Sequence, residues 1–138
     1  MIQRCFDAAI PNHFAAHPDI APHVGGPIDF TQAMRETAAY FFGEHGGLIF
    51  EWCAPGTYEV HIMLTREGRG AWGIQATQEA LEQLNADRVW ARIDPTNRPL
   101  AVHAIKSGFR EVERRNLYPA GQPVPYRIFE WRKVCHPQ

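Results

Sequence analysis

Cysteine is scarce and unpaired in this chain. Cys5, Cys53 and Cys135 are widely spaced and odd in number, and no CxxC occurs. There is no disulfide framework, and free thiols in a reducing compartment are the simplest reading. An excess of one charge is also missing: 14 Lys and Arg stand against 15 Asp and Glu. A protein built mainly to hold a phosphate backbone needs a clear basic surplus, so nucleic acid is a disfavoured partner. No stretch approaches the ~18 apolar residues of a membrane span. The start, from Met1 to Asp7, lacks the basic and apolar segments of a signal peptide. The expectation is a soluble, cytoplasmic protein with no membrane partner. Repeats, low-complexity runs and linkers are absent too, as are HExxH and the P-loop pattern Gly-x-x-x-x-Gly-Lys.

What is present suits a packed core. At 138 residues, with 45% hydrophobic and 21% charged, the chain is read as one domain, 1–138. Ile2, Phe6, Ala9 and Ile10 fall at helical spacing, with Pro11 closing that segment. His17 to Gly26 reads as a short helical turn stopped by glycine. Asp29 and Gln32 form a capping-box pattern for a further helix, with Phe30, Met34, Ala38 and Phe41 as its buried stripe. The period then changes. Leu48–Cys53 and Tyr58–Leu64 are strands joined by a Pro55–Gly56 turn, an antiparallel hairpin. A helix follows from Ala71 to Leu84, a strand from Arg88 to Ile93, and a helix to Ile105 that Gly108 ends. Phe109–Arg114 and Tyr126–Arg132 are terminal strands. The order describes a mixed α/β domain.

The unit that carries chemistry is Glu59-Val60-His61-Ile62-Met63-Leu64 followed by Thr65-Arg66-Glu67-Gly68-Arg69-Gly70-Ala71-Trp72-Gly73. A strand feeding a glycine turn into a helix start is a ready anion site: free N–H groups converge there, the helix dipole is positive, and glycine lets a phosphate approach the backbone. The same pattern also occurs as a purely structural turn. Forty residues on, Val89-Trp90-Ala91-Arg92-Ile93 leads to Asn97, a helix, and Gly108-Phe109.

This pair of motifs, in this order and at this separation, resembles the second half of the GNAT superfamily of N-acyltransferases. The match is best from Leu48 to Val112. His17-Pro18-Asp19, Glu44-His45-Gly46-Gly47, Tyr58-Glu59-Val60-His61 and Glu67-Gly68-Arg69-Gly70 are similar to a phage-associated branch of GNAT-like proteins. The resemblance implies a GNAT-like α/β (α+β) fold, a mixed central sheet with a splayed strand pair, flanked by helices. It implies acetyl-CoA as co-substrate and an N-acetyltransferase acting by direct attack of an amine on the thioester. Main-chain groups of Ile62, Met63 and Leu64 would pair with the pantetheine arm, and one N–H there would hold the thioester oxygen. Backbone N–H groups of Gly68, Arg69, Gly70, Ala71 and Trp72 would hold the pyrophosphate, and Asn97 would contact the pantetheine. The acceptor would be an amine-bearing small molecule, a protein N-terminus or a lysine; a homodimer is compatible with the resemblance.

The chain departs from the family pattern in places. Glu67 stands where the loop usually has Gln or Arg, Trp72 where it has a small residue, and Ala104 where a tyrosine often serves as the acid for the departing thiolate. An amine attacks only when neutral, so a base must take its proton. Glu59 and His61 lie two apart on a strand and share a face beside the proposed thioester; histidine as a residue type, with an unperturbed pKa of ~6.5, suits proton transfer near neutral pH. Tyr118 and Tyr126 are alternative acids. His17, Asp19, His23, Glu44 and His45 belong to the acceptor side, each with a bland reading as a cap or solvated loop residue. His13 and His17 have i, i+4 spacing, but Pro18 follows at once, so no metal site is expected. Arg110, Arg114, Arg115, Arg127, Arg132 and Lys133, beside Tyr126 and Trp131, read as a solvated strand face rather than a nucleic-acid surface. Ala104 and Glu67 support one rival reading, a GNAT fold kept as a binding or structural module without turnover.

Overall fold

The computed structural model describes residues 2–26, 28–32, 34 and 38–134. In chain order they form β1 (Gln3–Cys5), α1 (Ala9–Ala16), α2 (Ala21–Val24), β2 (Ala38–Gly43), β3 (Gly46–Ala54), β4 (Thr57–Leu64), α3 (Ala71–Leu84), β5 (Arg88–Ile93), α4 (Arg98–Lys106), β6 (Arg110–Leu117) and β7 (Val124–Arg132). A single 3-10 turn, Arg66–Gly68, lies between β4 and α3. The strands make one seven-stranded sheet in the order β1-β2-β3-β4-β5-β7-β6. Every neighbouring pair is antiparallel except β4 and β5. Among the described residues no helix is long and apolar enough to cross a membrane.

Alternation along the strands sends side chains to two layers. On one face Phe41, Leu48, Phe50, Val89 and Phe129 pack against Ala76, Ala80 and Leu81 of α3 and Ala101 and Ala104 of α4. The alanines let both helices lie close to the sheet. Phe50 and Phe129 are fully buried, each stabilising the fold by about 1.5–3 kcal/mol relative to exposure. On the other face Tyr40, Phe42, Ile49 and Met63 meet Phe14, Ala15 and Ile20 of the α1–α2 segment.

The second half of the chain follows the expected order closely, with α3 and β5 at the expected bounds. The N-terminal third does not. Gln3–Cys5 is a strand on the edge of β2, not part of a helix, and Phe6 and Ile10 from the supposed apolar stripe are exposed. Pro11 opens α1 rather than closing a helix. It lies in the first turn, where its missing N–H would have had no partner, and Asp7 Oδ1 accepts from the Ala9 N–H at 3.0 Å. The helix expected after Asp29 is also overturned where it can be seen, since Ala38 and Phe41 belong to β2. Its positions 33 and 35–37 lie outside the described residues. Asp29 instead closes a local turn, accepting from the Thr31 N–H (3.0 Å) and from Asn12 Nδ2 (3.0 Å). The run Ala38 to Phe42 is apolar on both faces, so its period is ambiguous. The sheet decides it, burying Phe41 on one side and Tyr40 and Phe42 on the other.

Candidate active site

β4 and β5 run side by side for only three residue pairs, Thr57–Glu59 against Arg88–Trp90. β5 then follows β7 to Ile93, while β4 stays on β3 to Leu64. The pair is therefore splayed, and beyond Glu59 alternate residues of β4 turn their N–H and C=O groups toward the gap. A groove of about 430 Å³ fills this space, lined by Ile62, Met63 and Leu64 of β4, Arg69 and Gly70 of the loop, and Asn97, Leu100 and His103 of the α4 region. A second cavity of similar size, about 430 Å³, continues from it past Glu51, His61 and Arg92. Ile62, Met63, Leu100, His103, His23 and Val24 line both.

The loop before α3 divides its amides into two groups. The Gly68 and Arg69 N–H groups close the 3-10 turn onto the carbonyls of Thr65 (3.0 Å) and Arg66 (3.3 Å). The Arg66 N–H donates to Asp19 Oδ2 at 2.8 Å, and Arg69 Nη2 donates to the Asp19 carbonyl at 2.7 Å. That amide bond, ahead of the nearby cations, holds the Asp19 carboxyl below its usual range. The next amides, Gly70 to Gly73, donate to no carbonyl or side chain among the described residues. α3 starts with no side-chain cap and no acid in its first turn. Gly70 has φ +101° and ψ −136°, a conformation available to glycine, with open space where a Cβ would be. At Gly73 a Cβ would lie 2.5 Å from the Gly68 carbonyl, so the loop can fold over the helix only without a side chain there. Trp72 packs into the core and sits edge-on to His45 at 5.1 Å, and neither it nor the exposed Glu67 lines the groove.

Asn97 lines the groove but is already engaged. Its Oδ1 accepts from the Leu100 N–H at 3.2 Å as the cap of α4, and its NH₂ makes no hydrogen bond among the described residues.

Glu59 is buried, 5% exposed. Arg92 Nε and Nη2 donate to its two carboxylate oxygens at 2.7 and 3.1 Å. That bond, opposed by partial burial, raises the guanidinium above its ordinary value. His61 sits on the same face, its Nε2 3.4 Å from Glu51 Oε1 and 4.0 Å from Glu59 Oε1. Glu51 was not anticipated; it faces Glu59 in the β3–β4 register. Glu51, Glu59 and His61 lie close enough to share a cation, but one would have to displace Arg92 from Glu59.

His103 was also not anticipated, although Leu100, His103, Ala104 and Ser107 share one helical face, which is a signal for an inward histidine. Its Nε2 lies 3.0 Å from Thr77 Oγ1, and burial pushes its pKa below the usual 6.5. Of the acceptor-side candidates, Asp19 and His23 reach the groove. His17 Nδ1 instead accepts from the Asp19 N–H at 3.1 Å, and Glu44 is exposed. Neither Tyr118 nor Tyr126 lines either cavity. On the last strands Arg127 is bound to Glu111, Arg115 to Glu113, and Arg88 and Arg132 to Glu130.

No family model and no curated protein sequence matches the chain. Solved structures do. A putative phosphinothricin N-acetyltransferase superposes with a TM-score of 0.72 at 19% identity, covering 97% of this chain and 98% of its own. A spermidine N-acetyltransferase variant from Vibrio cholerae gives 0.70 at 12% identity, over 96% and 94%. A GNAT-family acetyltransferase from Bacillus anthracis gives 0.67 at 16% identity, over 95% and 93%. At these identities the likeness is one of fold: the chain has the fold of the GNAT acetyltransferases.

Proposed function

We propose that the chain is an N-acetyltransferase that takes acetyl-CoA and passes the acetyl group directly to an amine. The observation that carries this reading is the uncapped start of α3 opening onto the gap between the splayed strands. A diphosphate placed there would receive the N–H groups of Gly70, Ala71, Trp72 and Gly73, with Arg69 alongside. The pantetheine would run along Ile62, Met63 and Leu64 beneath the NH₂ of Asn97, and a β4 amide would hold the thioester oxygen as charge develops on it. An anion needs those donors unoccupied, and among the described residues nothing accepts from them.

The second cavity would receive the acceptor. An aliphatic amine arrives protonated and must become neutral before it attacks. His61 takes that proton and releases it to solvent, with Glu51 and the Arg92-bound Glu59 setting the field around it. One solved neighbour is named as a spermidine N-acetyltransferase and another as a putative phosphinothricin N-acetyltransferase, which agrees with an amine acceptor here.

Binding and turnover separate this reading from the module without turnover. Acetyl-CoA at a hundred times its Kd should stabilise the chain by ~2.7 kcal/mol, read as a rise in Tm. Thiol release across a panel of polyamines, amino acids and peptides then reports transfer. A Tm rise without thiol release favours the binding module, and no Tm rise retires the site. Glu59→Gln should lower turnover and leave the Tm rise intact; unchanged turnover removes Glu59 from the mechanism.

A further inference from the structure

We infer that His103 is a second proton-carrying residue of the proposed transfer, taking the proton that the attacking nitrogen sheds and delivering it to the departing sulfur. The inference rests on the acetyltransferase reading and adds a step that Glu59 and His61 leave open. Attack by a neutral amine gives a tetrahedral adduct whose nitrogen still carries one proton too many and whose sulfur must leave with the electrons of the C–S bond. One group able to accept the first and protonate the second closes the reaction. The ammonium, by way of His61, and the thioester yield the amide, the free thiol of CoA and one proton in solvent.

The geometry identifies His103 as that group. It is one of two titratable side chains, with His23, that line both cavities, so it stands where the groove for the thioester meets the space for the acceptor. Its tautomer follows from hydrogen-bond arithmetic. The Thr77 hydroxyl has one proton and donates it to the buried Gly73 carbonyl at 2.8 Å. Thr77 Oγ1 must therefore accept at its 3.0 Å contact with His103, which puts the imidazole proton on Nε2. Nδ1 is left with its lone pair and no partner among the described residues. Burial lowers the His103 pKa from the usual value and so favours the neutral ring, the form a proton acceptor requires. The position where the family's tyrosine would fall is the adjacent Ala104, which packs into the core and cannot supply a proton. The other ionisable groups around the two cavities are Asp19 and His23 from the α1–α2 segment, Arg69 from the loop, Lys106 from α4, and Tyr40, Glu51, His61 and Arg92 from the sheet. From α3 the ring meets the Thr77 hydroxyl and lies beside Gly73, neither of which titrates.

Ring-nitrogen NMR on the full chain tests the ground state. The expected result is a neutral Nε2–H tautomer near neutral pH, protonation below ~6.5, and a shift of the Nδ1 resonance when CoA is added. His103→Gln keeps a donor for Thr77 but has no basic nitrogen. It should retain the rise in Tm with CoA, lose about 10²–10⁴ in kcat, and lose any pH dependence that His103 imposes on kcat. An Nδ1–H tautomer, or a glutamine variant turning over within about twofold of the parent, overturns the role of His103 and leaves the acetyltransferase reading standing. A parent chain whose Tm responds to neither acetyl-CoA nor CoA overturns both.

Discussion

Two helices begin at the same groove, and they begin differently. α4 is closed by its own sequence: Asn97 accepts from the Leu100 N–H, and Pro99 fills a first-turn position that needs no donor. α3 is left open: Gly70 carries no capping side chain and the first turn has no acid. The closed start uses a donor for stability, while the open start leaves its donors without a partner among the described residues. A helix end that forgoes a cap worth about 1 kcal/mol beside a 430 Å³ groove is where an anion is best accommodated.

The contrast can be broken most forcefully at Gly73. Valine there would drive its Cβ toward the Gly68 carbonyl, 2.5 Å away. The loop would have to lift off α3, a loss of about 3 kcal/mol or more in urea unfolding, and the acetyl-CoA response should vanish with it. A Gly73→Val chain of parental stability would mean that the loop does not close over the helix. The closed start is tested by Asn97→Ala. Losing the cap should cost about 1 kcal/mol, and losing the NH₂ over the pantetheine should weaken acetyl-CoA by about the same amount or less; a fall in affinity larger than the fall in stability would make Asn97 chiefly a ligand contact. The smallest effect is the most diagnostic. Ala71→Asp supplies α3 with the acid it lacks and should raise stability by about 0.3–1 kcal/mol, yet weaken acetyl-CoA by placing a carboxylate where the diphosphate would sit. Opposite signs support the open-end reading, whereas the same sign for both measurements removes it.

Legibility of the fold followed the locality of its causes. α3, β5 and the hairpin of β3 and β4 were readable because their signals are short range: Gly70 before a helical stripe, β-branched alternation, a Pro55–Gly56 turn. β1 and β2 were misread because Ile2–Ile10 and Phe30–Phe41 happen to place apolar residues at helical spacing. Tyr40, Phe41 and Phe42 are buried on both faces, and a segment with no polar side carries no period to read. At the site, the strand face of Glu59 and His61 and the glycine loop followed from spacing alone. The engagement of Glu59 by Arg92, of the Arg66 amide by Asp19 and of His103 by Thr77 did not, since these partners are separated by 33, 47 and 26 residues.

By itself the sequence determined the succession of strand, glycine loop, helix, strand and Asn-capped helix, because φ preferences, caps and periodicity act within a few residues. Only the tertiary structure decided that β4 parts from β5 after Glu59 and that the amides of Arg66, Gly68 and Arg69 are spent while the four from Gly70 to Gly73 stay open. It alone brought His103 to the meeting point of the two cavities. Those outcomes depend on how helices and sheet pack, a balance of contacts between segments that no short stretch of sequence encodes.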